Sequence, residues 1–153
     1  MIIIQKAGLK DVAVLVPLFD AYRVFYKKAS DQQAATIFLK ERLEKKESVI
    51  FIAYLNNNAV GFTQLYPIFS SVSMQRAWLL NDLYTNEAAR KKGVATALLN
   101  HAKEFGASTN AKYLLLQTAA DNKTAQHVYE QNGWRKETDW FYAATMPTGP
   151  IKV

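Results

Sequence analysis

Apolar and polar positions follow two rhythms along the chain, and the switches between them mark the elements. Ile2-Ile3-Ile4-Gln5 is a short apolar run that predicts a first strand, broken at Gly8. From Asp11 to about Phe25 the rhythm is helical: Leu15, Leu18, Phe19, Tyr22 and Phe25 or Tyr26 fall on one face. Pro17 lies inside this stretch and is expected to remove one backbone bond and bend the helix. Ser30 reads as an N-cap with Gln33 in the capping-box position. Ala35, Phe38, Leu39 and Leu43 then form the buried stripe of a second helix that ends near Lys46. Ser48 to Leu55 and Ala59 to about Phe69 read as a hairpin across Asn56-Asn57-Asn58, a turn suited to positive φ. Ser70 to Gln75 is a loop, and Ala77 to Thr85 is a third strand of this group.

A further helix begins near Val94, with Ala97, Leu98, His101, Ala102 and Phe105 on one face, and Gly106 is expected to end it as a left-handed cap. Tyr113-Leu114-Leu115-Leu116-Gln117 is almost continuously apolar, as in a strand covered on both faces. Asp121 or Asn122 starts a short helix that runs to Gln131, and Asn132-Gly133 closes it. Trp134 to Glu137 and Trp140 to Met146 are expected to be the last two strands, with Pro147 to Val153 as a tail. The order β-α-α-β-β-β-α-β-α-β-β predicts an α/β (α+β) fold. Its sheet is mixed and mostly antiparallel, of six to seven strands, flanked by about four helices, in one domain spanning residues 1–153.

Composition narrows the chemistry. The 153-residue chain has no cysteine, which excludes disulfides, thiolate metal sites and a cysteine nucleophile. His101 and His127 have no clustered partners, so no metal is expected. The N-terminal apolar run is too short for a signal peptide or a membrane span, so a cytoplasmic protein with no membrane partner is expected. The formal charge is +6, but the lysines are scattered and no run reaches five or six like charges, which argues against a nucleic-acid partner.

The most informative stretch runs from Leu79 to Phe105. A strand leads through Thr85-Asn86-Glu87-Ala88-Ala89 into Arg90-Lys91-Lys92-Gly93-Val94-Ala95, which opens the helix. The first turn of a helix has N–H groups without internal partners, and its dipole favours negative charge. Gly93 keeps a side chain out of the way of an approaching anion, and three cations flank it. This arrangement suits a pyrophosphate.

The spacing Arg90-x-x-Gly93-x-Ala95 resembles the acyl-CoA pyrophosphate loop of the GNAT superfamily of N-acetyltransferases. The strand Leu80-Asn81-Asp82-Leu83-Tyr84-Thr85 before it and the segment from Asn122 to Trp134 after it are similar to that family too, so the likeness covers essentially the whole chain. It implies acetyl-CoA as co-substrate. The pantetheine arm would lie between the strands at 77–85 and 113–118 and pair with the main chain of Leu83, Tyr84 and Thr85. The pyrophosphate would reach the N–H groups from Lys91 and Lys92 through Gly93, Val94 and Ala95 to Thr96, beside Arg90. Asn122 would hold the pantetheine arm.

The implied reaction is direct attack of a primary amine on the thioester, with a main-chain N–H near Tyr84 stabilising the oxyanion. Tyr129 matches the family's tyrosine and would donate to the leaving thiolate; the alternative is a core aromatic beside Ala125 and Val128. Asp82 is the candidate base, acting through water, or else a residue that only orients loops. Some amine-acetylating relatives carry glutamate at the position of Asn81, and its absence here leaves no direct carboxylate at that point.

The acceptor pocket is expected from the first two helices, their connection and Phe69 to Gln75, with Tyr22, Arg23, Tyr26 and Asn81 as binding residues. The cluster Tyr22-Arg23-x-Phe25-Tyr26 looks most like the small histone- and polyamine-acetylating subgroup. The acceptor would be a small-molecule amine or the lysine or N-terminal amine of a peptide. A homodimer is expected, with Trp140, Phe141 and Tyr142 either in the core or at a shared edge. The competing reading is a non-catalytic acyl-CoA-binding or regulatory module.

Overall fold

The computed structural model describes residues 1–147. Its elements are β1 (Ile2–Lys6), α1 (Val12–Phe25), α2 (Gln32–Glu44), β2 (Val49–Leu55), β3 (Asn58–Ser70), β4 (Gln75–Thr85), α3 (Val94–Ser108), β5 (Leu114–Leu115) and α4 (Lys123–Gln131). The five strands lie in the order β1-β2-β3-β4-β5. Every neighbouring pair is antiparallel except β4 and β5, which are parallel.

The core lies on both faces of the sheet, and β2 shows why. Its side chains alternate: Ile50 and Ile52 pack with Leu15, Leu18 and Phe19 of α1 and Leu39 of α2. Phe51 and Ala53 pack with Leu98, Leu99 and Ala102 of α3. A strand buried on both faces needs apolar residues at every position, and Ile50-Phe51-Ile52-Ala53 supplies them. Asn56 and Asn57, both at positive φ, turn the chain so that Leu55 pairs with Asn58. Pro17 lies inside α1 on its exposed side.

Several boundaries differ from the sequence expectation, each for a local reason. Asp31, not Ser30, caps α2 and accepts from Ala34 N–H at 3.0 Å. The Ser30 hydroxyl instead donates to the buried Asp20 carboxylate at 2.6 Å, and Asp31 N–H donates to its other oxygen at 2.7 Å, so Asp20 ties α1 to the start of α2. These bonds hold the Asp20 carboxyl below the usual range. Helix α3 does not stop at Gly106: it runs to Ser108, and Asn110 at φ 57° takes the left-handed position. Ala111 N–H closes back on Gly106 O at 3.0 Å in a Schellman pattern. Gly106 lets α3 sit close on β5, since a Cβ there would lie 2.5 Å from Leu114 Cδ1.

The sheet is shorter than the expected six to seven strands. β5 is two residues long, half-buried, and not covered on both faces as its apolar run suggested. The expected strands at Trp134–Glu137 and Trp140–Met146 do not form among the described residues. Trp140, Phe141 and Tyr142 have high strand propensity, but a two-residue β5 offers almost no ladder to extend, and propensity without a partner makes no strand. Their side chains are 87%, 71% and 97% exposed, so they do not join the core. Part of the expected tail, with Lys152, lies outside the described residues.

Candidate active site

Two features meet at the C-terminal end of β4. The first is a concavity of main-chain donors. After β4, Asn86 N–H donates to Val60 O at 2.7 Å, and a single helical turn over Glu87–Ala89 buries Ala89 as an anchor. The chain then passes through Lys91 at φ 63° and Gly93 at φ 84° into α3. Left-handed residues alternating with others turn successive N–H groups to one side, which makes an anion-binding nest. Gly93 is the N-cap of α3, and among the described residues no side chain caps that end. A Cβ at Gly93 would meet nothing nearer than Ile2 Cδ1 at 3.9 Å, so glycine is required here by its torsion, and the space above it is open.

Of the three cations, Lys91 and Lys92 are exposed beside the nest. Arg90 is committed elsewhere: its Nε donates to Thr85 O at 3.2 Å, and its guanidinium lies 5.3 Å from the Phe25 ring centre. It braces the loop between β4 and the end of α1.

The second feature is an open strand edge that leads to the nest. β4 and β5 pair only at Trp78↔Leu114 and Leu79↔Leu115. β4 continues to Thr85 and stays paired to β3 through Thr85↔Gly61, while its other edge, from Leu80 to Thr85, has no strand partner among the described residues. The strands start together and part, which leaves the main chain of Leu83, Tyr84 and Thr85 along one side of the gap. Leu116 and, on α4, Val128 and Tyr129 pack against the same core cluster as Leu83. α4 carries Tyr129, half-buried against Trp134 at 6.5 Å between ring centres. Burial pushes the Tyr129 phenol up, so it holds its proton at neutral pH. Asn122 caps α4, accepting from Ala125 N–H at 3.1 Å, which leaves its amide nitrogen as the side-chain donor for a ligand.

A bulge in β4 sets what faces the α1 side. Gln64 pairs with Asp82 and Leu65 with Leu80, so Asn81 is an extra residue. In an unbulged strand Leu80 and Asp82, two residues apart, would share a face. With the bulge Leu80 packs toward α3, and Asp82 and Tyr84 turn toward α1. Asp82 is buried, 6% exposed, yet its oxygens are served: Gln64 Nε2 donates to Oδ2 at 2.8 Å and Asn81 Nδ2 to Oδ1 at 3.1 Å. The Tyr22 phenol stands beside the same carboxyl. Burial still dominates and raises the Asp82 carboxyl above the usual range, against these bonds. Burial and the adjacent Asp82 raise Tyr22 far above the usual phenol range, and they push Tyr66 up to about 12.

Tyr22 packs edge-on against Tyr26 at 5.1 Å, Phe62 at 5.6 Å and Tyr84 at 5.9 Å. The phenols of Tyr26 and Tyr129 lie within electrostatic reach of Tyr22. Arg23 does not join them: with Phe19, Asp31 and Phe38 it lines a separate hollow of about 370 Å³ between α1 and α2. Phe69 to Gln75 form the far end of the β3–β4 hairpin, roughly 20 Å of strand from Asp82, and do not reach this centre.

Gln64 and Gly61 belong to the site and were not singled out from the sequence. The signals were present: an amide inside an otherwise apolar strand needs a buried partner, and a glycine inside a strand marks a close approach. A Cβ at Gly61 would lie 2.6 Å from Tyr84 O and 3.2 Å from Val94 Cγ1, so its absence lets β3, β4 and the start of α3 meet. Among the described residues no cluster of three metal-ligating side chains occurs, and no helix is long and apolar enough to cross a membrane.

A parted β4/β5 pair leading to an uncapped helix end is the layout that the sequence resemblance implied, and comparison with known proteins agrees. The model of the acetyltransferase (GNAT) family matches residues 15–134, and the chain belongs to this family. It is 50% identical over 145 residues to the uncharacterized N-acetyltransferase YhfO of Bacillus subtilis, covering 94% of this chain and 97% of that one. A crystal structure of a probable acetyltransferase superposes with a TM-score of 0.88 at 42% identity, over 97% of this chain and 99% of that one. A structure of a predicted acetyltransferase with acetyl-CoA from Clostridium acetobutylicum shares the fold at a TM-score of 0.76 and 20% identity, over 94% and 96%.

Proposed function

We propose that this protein moves an acetyl group from acetyl-CoA to a primary amine by direct attack within a ternary complex. The observation that carries this reading is the continuity of the unpaired β4 edge with the uncapped N-terminus of α3. The two groups of donors and acceptors suit the two ends of one ligand. An amide-bearing arm added along Leu83 to Thr85 would gain about 1 kcal/mol net per main-chain hydrogen bond. A diphosphate at the N–H groups of 91–96 would gain the favourable end of the helix dipole and the charges of Lys91 and Lys92. A relative's structure that contains acetyl-CoA adds support by analogy.

The chain's own groups then have distinct tasks. A main-chain N–H near Tyr84 faces the reacting carbonyl, a contact that can lower a barrier by about 3 kcal/mol. Tyr129, protonated at neutral pH, donates to the departing sulfur. Asp82 accepts the proton of the incoming ammonium. Tyr22 and Tyr26 border the acceptor, which is a small-molecule amine or an amine of a peptide. The test is release of free CoA from acetyl-CoA across alkylamines, polyamines, aminoglycosides, amino acids and lysine peptides. Turnover with at least one primary amine is expected. Tight acetyl-CoA binding without turnover on any of them would replace this reading with a binding module.

A further inference from the structure

We propose that Tyr22 is the group that meets the acceptor nitrogen and relays its proton to Asp82, a route that rests on the transferase reading above. Asp82 is poorly placed to meet a substrate itself. It is 6% exposed, and its two oxygens are engaged by Asn81 and Gln64. Tyr22 is half-buried, stands beside the Asp82 carboxyl and packs edge-on against Tyr26 at 5.1 Å and Tyr84 at 5.9 Å. Of the pair it is the less buried, and so the one a substrate can reach.

The proton balance is simple. An N–H bond of the ammonium breaks as a bond forms to Tyr22 Oη, and the original Tyr22 O–H breaks as an O–H forms on Asp82. The products are a neutral amine, a neutral phenol and a protonated carboxyl. No oxidant or co-reactant is needed, and the carboxyl returns its proton to solvent by the reverse path after product leaves. Tyr22 never carries full negative charge, which agrees with its strongly raised titration.

Gln64 supplies the independent observation. It is fully buried, its Nε2 donates to the Asp82 carboxylate, and its Oε1 has no partner among the described residues. An acceptor beside the carboxyl is in place to take a hydrogen bond from it in the protonated state. When Asp82 becomes protonated it needs an acceptor, and a turn of the Gln64 amide presents Oε1 in place of Nε2. The amide therefore matches both protonation states of Asp82, which a purely structural carboxylate does not require. The other groups at the relay are Tyr66 of β3 beside Asp82, and Tyr26 just after α1, Tyr84 of β4 and Tyr129 of α4 around Tyr22; Arg42 of α2 acts on Tyr66.

The test compares the best alkylamine from the acceptor screen with its O-alkylhydroxylamine counterpart, whose nitrogen is far less basic and is neutral at pH 7. For Tyr22→Phe, kcat/KM at pH 7 is expected to fall about 100-fold with the alkylamine and only a few-fold with the O-alkylhydroxylamine. The alkylamine deficit should shrink as pH rises and the amine loses its proton unaided. Asp82→Asn should show the same pattern, and acetyl-CoA affinity measured by calorimetry should be unchanged in both. Equal losses with the two nucleophiles, or a loss independent of pH, would make Tyr22 structural and overturn the relay. An Asp82→Asn protein that keeps the alkylamine rate would overturn Asp82 as the acceptor. A parent protein that releases no CoA with any amine would instead overturn the transferase reading beneath the relay.

Discussion

The two sides of the β4 end are built by different means. Toward α3 and the β4/β5 gap the groups on offer are main-chain: the open edge of Leu80 to Thr85 and the N–H groups at the start of α3. Toward α1 they are side chains: Asp82, Gln64, Tyr22, Tyr26 and Tyr84. A main-chain surface depends on torsion and on the absence of side chains, so it tolerates most substitutions and fails at a few. A side-chain surface depends on each residue's identity and can be retuned one position at a time. That division fits a co-substrate common to a family on one side and an acceptor particular to each member on the other.

The sharpest break in this comparison is at Gly93. Trp at this position should fill the open space above the nest and lower acetyl-CoA affinity by at least about 100-fold, roughly 2.7 kcal/mol. Unchanged affinity by calorimetry would separate the nest from the co-substrate. Gly93→Ala sharpens the point, because its Cβ fits while φ 84° strains it by about 1 kcal/mol, so it should weaken folding more than binding. A smaller effect is expected at Tyr129, a side chain on the main-chain side. Tyr129→Phe should lower turnover about 10- to 100-fold while acetyl-CoA binding changes little. Turnover equal to the parent's across pH would reduce Tyr129 to packing against Trp134.

What the sequence disclosed follows the same division. The nest was legible because its determinants are local: Arg90, Gly93 and Ala95 sit in one short segment between a strand and a helix. The hairpin at Asn56-Asn57 and the close of α4 at Gly133 were legible for the same reason. The acceptor side was harder because its geometry is set at long range. Nothing local to Asn81 announces a bulge; it exists only in register with Gln64 and Leu65. The bulge there is why Leu80 and Asp82, two residues apart, face opposite sides, with Asp82 toward α1. The aromatic run Trp140-Phe141-Tyr142 misled in the opposite way: its propensity is real, but a strand needs an edge to join, and β5 supplies only two residues.

Gly61 is where the two sides are joined, and it gives the most discriminating experiment of smallest expected size. Unlike Gly93, it does not have a positive φ, so an L side chain meets no torsional objection there. Its constraint is space: the nearest neighbour of an added Cβ is Tyr84 O at 2.6 Å, a main-chain atom that cannot swing aside, and the next is Val94 Cγ1 at 3.2 Å. Gly61→Ala should therefore push β4 at Tyr84 away from β3 and cost about 1–3 kcal/mol of stability, read as a lower denaturant midpoint with an unchanged slope. Because Tyr84 belongs to both surfaces, the surviving folded protein should lose acetyl-CoA affinity and acceptor turnover together, each by a few-fold. Loss of one without the other would show that the main-chain edge and the tyrosine cluster are mechanically independent, and that Tyr84 couples them only by proximity.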